Sequence, residues 1–290
     1  MDPLRRTFIR DEALTVGIAP ECGGALTRFD VQVGDALVDV LRPAQDRNDH
    51  RICALGSSCF PLIPYAGRLR EGRFRFAGTE YQFPLNAAPE RHSSHGDGWT
   101  RPWDLTHLDR RTAIMTLRAD DSAPLQYEST QSISVNSQRL RIVLSCRNAG
   151  PHSIPSGLGL HPYFANRAQA AVTATLPVHW RWDEELMPVA RQTNALAAAL
   201  AGGCELARLP VAAEFAGWDG RALIEWPALG LRVELTTTPR LHHVVMWLPE
   251  GESFFCFEPI CHATDALNEY PGTVAAEDFV ILAPGEMLSQ

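Results

Sequence analysis

The chain has 290 residues, 45% of them hydrophobic and 21% charged, a balance that supports a sizeable folded core and excludes a disordered or fibrous protein. Its formal net charge is −8 and no stretch gathers lysines and arginines, which excludes nucleic acid and anionic lipid surfaces as partners. The opening MDPLRRTFIRDEALTV puts charges where a secretion signal needs an uninterrupted apolar run, and nowhere do about 18 apolar residues follow one another, so we expect a cytoplasmic protein that crosses no membrane.

In chain order, FRFAGTEYQF (74–83) reads as two aromatic-bearing strands around Gly78. RLRIVLSCRN (139–148) alternates Leu140, Ile142, Leu144 and Cys146 with Arg139, Arg141, Ser145 and Arg147, the signature of a half-buried antiparallel strand. NALAAALAGGCELARL (194–209) is the best helix, but Gly202-Gly203 breaks it after about two turns. Two more strands follow in LRVELTTT (231–238) and HHVVMWLP (242–249). Glycines and prolines are scattered as turn punctuation, without a repeat or a linker, so residues 1–290 are read as a single, mainly β domain. The seven cysteines are odd in number and form no CxxC pair, which points to free, mostly buried thiols.

Four stretches carry polar groups that a plain β core does not need: PYAGRLREG (64–72), RHSSHGDGW (91–99), GLGLHPYF (157–164) and FFCFEPICHATDALN (254–268). In each, one ionisable residue, respectively Arg68, His95, His161 and Glu258, sits among glycine, proline and aromatic residues. Glu258 is the sharpest anomaly. It follows FFCF and precedes Pro259, so it ends an apolar strand, where a carboxylate is costly unless it is paired, with Arg68 for example, or acts as a base of raised pKa. His92-x-x-His95 has a spacing that suits a metal on one helical turn, but the serines and glycines around it disfavour a helix. No GxSxG elbow is present for a nucleophilic triad.

In the same order along most of the chain, ECGGALTRF, PYAGRL, HSSHGDGW, GLGLHPYF, GWDGRALIEW, FEPICHATDALN and LAPGE resemble the aldose 1-epimerase family, the galactose mutarotases and their relatives. The resemblance implies a β-supersandwich of large antiparallel sheets with few short helices and an open sugar cleft. It also implies roles: Glu258 as catalytic base, His161 as general acid, His95 as a second active-site histidine, and Arg68 as a ligand for sugar hydroxyls. Trp99 and Tyr163 are candidates for an apolar face against the sugar ring, with burial in the core as the equal alternative for either. The substrate would be a small-molecule monosaccharide, the protein a monomer or homodimer.

The implied reaction interconverts the α and β anomers of a free aldose. A proton leaves the C1 hydroxyl as another reaches the ring oxygen, and the aldehyde rotates and recloses with the roles reversed, so no cofactor, metal or covalent intermediate is required. His161 protonated beside Glu258 ionised would raise the histidine's pKa and offset burial of the carboxylate. The sequence departs from the family in two places. Gly67 stands where an asparagine usually precedes the arginine, and Ala212 where many members have a sugar-binding aspartate, for which Glu214 or Asp219 could substitute. The alternatives are a non-catalytic sugar-binding or regulatory protein, and a hexose-6-phosphate mutarotase using Arg70, Arg73 or Arg101.

Overall fold

The computed structural model describes residues 7–45, 54–120, 122–193, 195–209, 211–268 and 279–290. Antiparallel strand pairing dominates, as the alternating sequence requires. RLRIVLSCRN forms the strand Arg139–Asn148 over the expected span. FRFAGTEYQF folds as the hairpin Arg73–Phe76 and Thr79–Gln82, turning through Ala77 and Gly78, both at positive φ. The helix Ala195–Gly202 stops at Gly203, whose φ of +90° suits glycine.

An eleven-stranded sheet runs in the order Thr7–Arg10, Leu14–Ala19, Ala25–Val33, Ala36–Leu41, Gly159–Phe164, Phe255–Ile260, His243–Leu248, Val211–Ala216, Val178–Trp182 and Pro188–Gln192. Its eleventh strand, Cys59–Leu62, pairs with Gly159–Phe164 and Ala25–Val33. A five-stranded sheet containing Thr112–Arg118 and Tyr127–Asn136, and a four-stranded sheet containing Ala171–Ala174 and Arg221–Trp226, complete the large β layers. This is the mainly β, large-sheet architecture expected of the galactose mutarotase-like fold.

Strand alternation gives the large sheet two different faces. Phe255, Phe257, Val244, Met246 and Phe215 point into one contiguous core, shared with Met115 and Ile133 of the five-stranded sheet and Ile224 and Trp226 of the four-stranded one. On the other face a smaller cluster forms from Phe60, Leu62, Trp99, Tyr163, Val245, Cys256 and Ile260. The polar anomalies of the sequence emerge on this second face.

Cys59, Cys146, Cys204, Cys256 and Cys261 are free thiols, as expected, but Cys22 is disulfide-bonded, which corrects that expectation; Cys53 lies outside the described residues. No helix among the described residues is long and apolar enough to cross a membrane.

Candidate active site

The register of two neighbouring strands brings His161 and Glu258 together. Gly159 pairs with Ile260 and Tyr163 with Cys256, so His161 and Glu258, midway between those pairs, lie opposite each other on one face. Their side chains meet, with His161 Nε2 3.4 Å from Glu258 Oε1, and both residues are buried, at 5% and 2% exposure. The imidazole also stacks on Phe60 and Tyr163, with ring centroids 4.7 and 4.5 Å away, which fixes its plane.

Burial decides the charges. It pushes Glu258 well above the usual carboxylate range, opposed by the charge of Arg68 and reinforced by Glu214. It also pushes His161 well below the usual imidazole value, with His95 and Arg42 adding to the effect. The expectation that the carboxylate would raise His161 is therefore not met, because desolvation outweighs the pair's attraction. The favoured form has one proton on the pair and no net charge.

His95 enters from a loop. Its φ of +62° and the neighbouring Gly96, packed against the Ile63 carbonyl, turn the backbone so that the ring meets His161 edge-on at 5.3 Å. The Gly67 N–H donates to His95 Nδ1 at 3.1 Å, while the His95 N–H donates to the Gly67 carbonyl at 2.8 Å. Burial, and then the charge of Arg68, pushes His95 down to about 3. The ring is neutral, and with Nδ1 accepting, its proton sits on Nε2.

That tautomer bears on metal binding. His95, His161 and Glu258 each place a ligand atom within 4.8 Å of the others, a donor set that suits a metal by residue type. Yet one His95 nitrogen already accepts a backbone hydrogen bond and the other carries the proton, so the ring has no spare lone pair and the group does not fit a resident metal. His92 is not part of this cluster. It is buried, with Nδ1 accepting from the Glu71 N–H and Nε2 3.4 Å from Glu185.

Arg68 forms a two-pronged ion pair with Glu90, at 2.9 and 3.0 Å, and its charge acts on Glu258, His95 and His161. Glu90 carried no sequence signal. The loop around Arg68 is braced by the turn that follows Glu258: the Ala66 N–H donates to His262 Nε2, the Asp265 N–H to the Arg68 carbonyl, and the Arg70 N–H to Asp265 Oδ1. FEPICHATD therefore supplies both the carboxylate and the scaffold for the arginine loop.

The expected aromatic face is not where the sequence placed it. Trp99 is 2% exposed, packed behind Phe60 with its indole N–H donating to the Ser94 carbonyl, and Tyr163 is equally buried beneath His161. The guanidinium of Arg42, which sequence reasoning missed, lies 3.7 Å from the Tyr163 ring centre. Ala212 is exposed on the sheet face, whereas Glu214 is fully buried, accepting from the Thr264 N–H at 2.9 Å and the Trp182 indole N–H at 3.3 Å. Asp219 is an exposed turn residue accepting from the Arg221 N–H. Burial raises the Cys256 and Cys59 thiols, so neither is an activated nucleophile.

The family model for aldose 1-epimerase matches residues 7–290. The uncharacterised protein YphB of Escherichia coli K12 is 32% identical over 249 residues, covering 80% of this chain and 81% of its own length. A proposed aldose 1-epimerase of Escherichia coli K12 superposes with a TM-score of 0.86 at 28% identity, covering 99% of this chain and 96% of that one. A galactose mutarotase-like protein of Clostridium acetobutylicum shares the fold, with a TM-score of 0.82 at 18% identity over 99% and 96% of the two chains.

Proposed function

Because the chain belongs to the aldose 1-epimerase family, we propose that it is a mutarotase of free neutral aldoses in which Glu258 and His161 move the two protons of ring opening. The observation that carries this reading is the buried contact between His161 Nε2 and Glu258 Oε1 at 3.4 Å. A carboxylate and an imidazole sharing one proton are the pair needed to take a proton from the C1 hydroxyl and give one to the ring oxygen.

The proton count makes the pair ready without help from solvent. Neutral Glu258 with neutral His161, and ionised Glu258 with protonated His161, hold the same single proton and differ only in where it lies. Arg68 favours the ionised carboxylate, so a sugar that engages Arg68 and displaces water can draw the proton onto His161. The carboxylate then accepts from the C1 hydroxyl and the imidazolium donates to the ring oxygen. Reclosure on the other aldehyde face reverses both transfers. His95, neutral with its proton on Nε2, donates a hydrogen bond to the sugar without competing for the transferred protons.

A neutral sugar fits better than a phosphorylated one. Arg70 pairs with Asp265 and Glu185, Arg101 with Asp97 and Asp120, and Arg73 with Gln82, so the cations considered for a phosphate are already engaged. The whole match from residue 7 to 290 supports one family domain as the unit of function.

Polarimetry tests the proposal. Freshly dissolved α-anomers of D-glucose, D-galactose and D-xylose should reach anomeric equilibrium faster with the purified protein than without it. Sugar binding by calorimetry without any acceleration would replace this reading with a binding function.

A further inference from the structure

Trp247 stands apart among the exposed large apolar residues. At 38% exposure it lies on His243–Leu248, a strand of the eleven-stranded sheet paired on both sides, with Val211–Ala216 and with Phe255–Ile260. An edge position therefore does not explain its exposure. Every other residue of that strand is buried, yet Trp247 keeps more than a third of its surface open.

The register shows what lies beside it. Ala212 pairs with Trp247, Trp247 with Cys256, and Cys256 with Tyr163, which forms an apolar row across one face. The next row on the same face, one step of the alternation away, runs through Glu214, Val245, Glu258 and His161. Trp247 meets His161 edge-on with ring centroids 6.5 Å apart and packs against Phe254 at 5.9 Å. In the apolar row, Tyr163 and Cys256 are buried, while Ala212 and Trp247 remain open. An open indole and an open methyl thus form one surface beside the proton-transfer pair, with no charge in it.

We propose that Trp247, with Ala212 at its side, is the platform that receives the C–H face of a neutral pyranose ring during anomer exchange. The identity of the occupant rests on the mutarotase reading; the location of the platform does not. A pyranose face on which C–H bonds cluster is its one apolar surface, and an indole accepts it with the negative face of its ring system. The small side chain at residue 212 leaves the indole unobstructed, where a carboxylate would contact a hydroxyl instead. Selection at this end of the cleft then follows the shape of the C–H face and is relaxed towards individual hydroxyls.

The test uses 15N-labelled full-length protein with D-galactose, D-glucose and D-xylose as probes. The Trp247 indole N–H resonance is identified by its loss in Trp247→Phe. It should shift saturably with any sugar that the protein turns over, while the fully buried Trp180 and Trp226 indoles stay in place. Trp247→Ala should raise KM about tenfold with kcat held within about threefold, as expected for a contact equally strong in ground and transition states, and Trp247→Phe should keep most of the affinity. A Trp247 resonance unmoved by a sugar that is turned over, or an unchanged KM in Trp247→Ala, overturns the platform. If the wild-type protein accelerates none of the three sugars, the mutarotase reading fails, yet the indole resonance still decides: a shift keeps the platform as a sugar site, and no shift with any of them removes it.

Discussion

Glu258 is buried because the residues on either side of it leave no other course. Phe257 fills the main core and Phe255 lies two residues before it on the same side, so the alternation sends Glu258 to the cleft face with little water around it. The cost of burying that carboxylate is avoided when it holds a proton, which its raised pKa favours. The signs of the two shifts set a pH dependence. Because burial lowers His161, a second proton joins the pair only well below the ordinary histidine value of about 6.5, and because burial raises Glu258, the first proton is lost only well above the ordinary carboxylate range. We expect kcat/KM, which reports the sugar-free protein, at pH about 5.5 to stay within about twofold of its value at pH about 6.5, with activity lost as pH rises past the raised Glu258; a midpoint near 6.5 on the acid side of the profile would show instead a histidine that titrates as if in water. His161→Asn should lower kcat by at least about a hundredfold, the usual scale for a general acid, with little change in KM.

Among the elements, the turn 262–265 does the most to shape the site, and it accounts for one departure from the family pattern. Gly67 has φ +71°, and a Cβ there would lie 2.3 Å from Thr264 Oγ1. Thr264 is in turn anchored by its N–H to Glu214, so the space of a side chain at residue 67 is filled from the other side of the cleft. Gly67→Asn should therefore destabilise the protein by roughly 1–3 kcal/mol. In the Thr264→Ala background the same change should cost at least about 1 kcal/mol less, a coupling expected of touching residues. Chemical denaturation of the four proteins measures it, and additive costs would mean that the two side chains do not compete.

How much of this was legible follows from what alternation and punctuation can carry. Arg139–Asn148, the hairpin around Gly78 and the helix ending at Gly203 were readable because their signals are local. Glu258 and His161 were readable because a charge or an imidazole inside an apolar, proline-bounded run is anomalous wherever it falls. Trp247 was not: in HHVVMWLP nothing marks the tryptophan as the one residue left uncovered, since that depends on the register of three strands. Trp99 was equally open to a sugar-facing or a core reading, and only its packing behind Phe60 decides for the core. Glu90, Arg42 and Thr264 act through partners distant in sequence, which a single chain does not announce.

On the scale of the whole molecule, the large sheet is buried on both faces at its centre, and its second buried face is what allows acid–base chemistry away from bulk water. The same burial stores a stability cost elsewhere. Asp30, fully buried and paired across the hairpin with Asp39, has its pKa raised to about 6, by burial first and then by Asp39. A raised carboxyl stabilises the fold most when protonated, so this contribution is present below the unfolded value near 3.8 and is lost as pH rises through about 6. Asp30→Asn should leave stability nearly unchanged at pH about 4 and raise it by on the order of 1–3 kcal/mol at pH about 7.5. Equal effects at the two pH values in thermal unfolding would contradict that assignment.

The central claim, that this buried face opens a sugar ring through Glu258, is most directly tested by two-dimensional exchange NMR on an equilibrated aldose, which reads the α-to-β rate without any net reaction. The account predicts exchange cross-peaks enhanced by the wild-type protein and, with Glu258→Gln, an enhancement reduced by at least about a hundredfold, although the variant keeps the shape of the side chain. A Glu258→Gln protein that exchanges anomers at near the wild-type rate would contradict it.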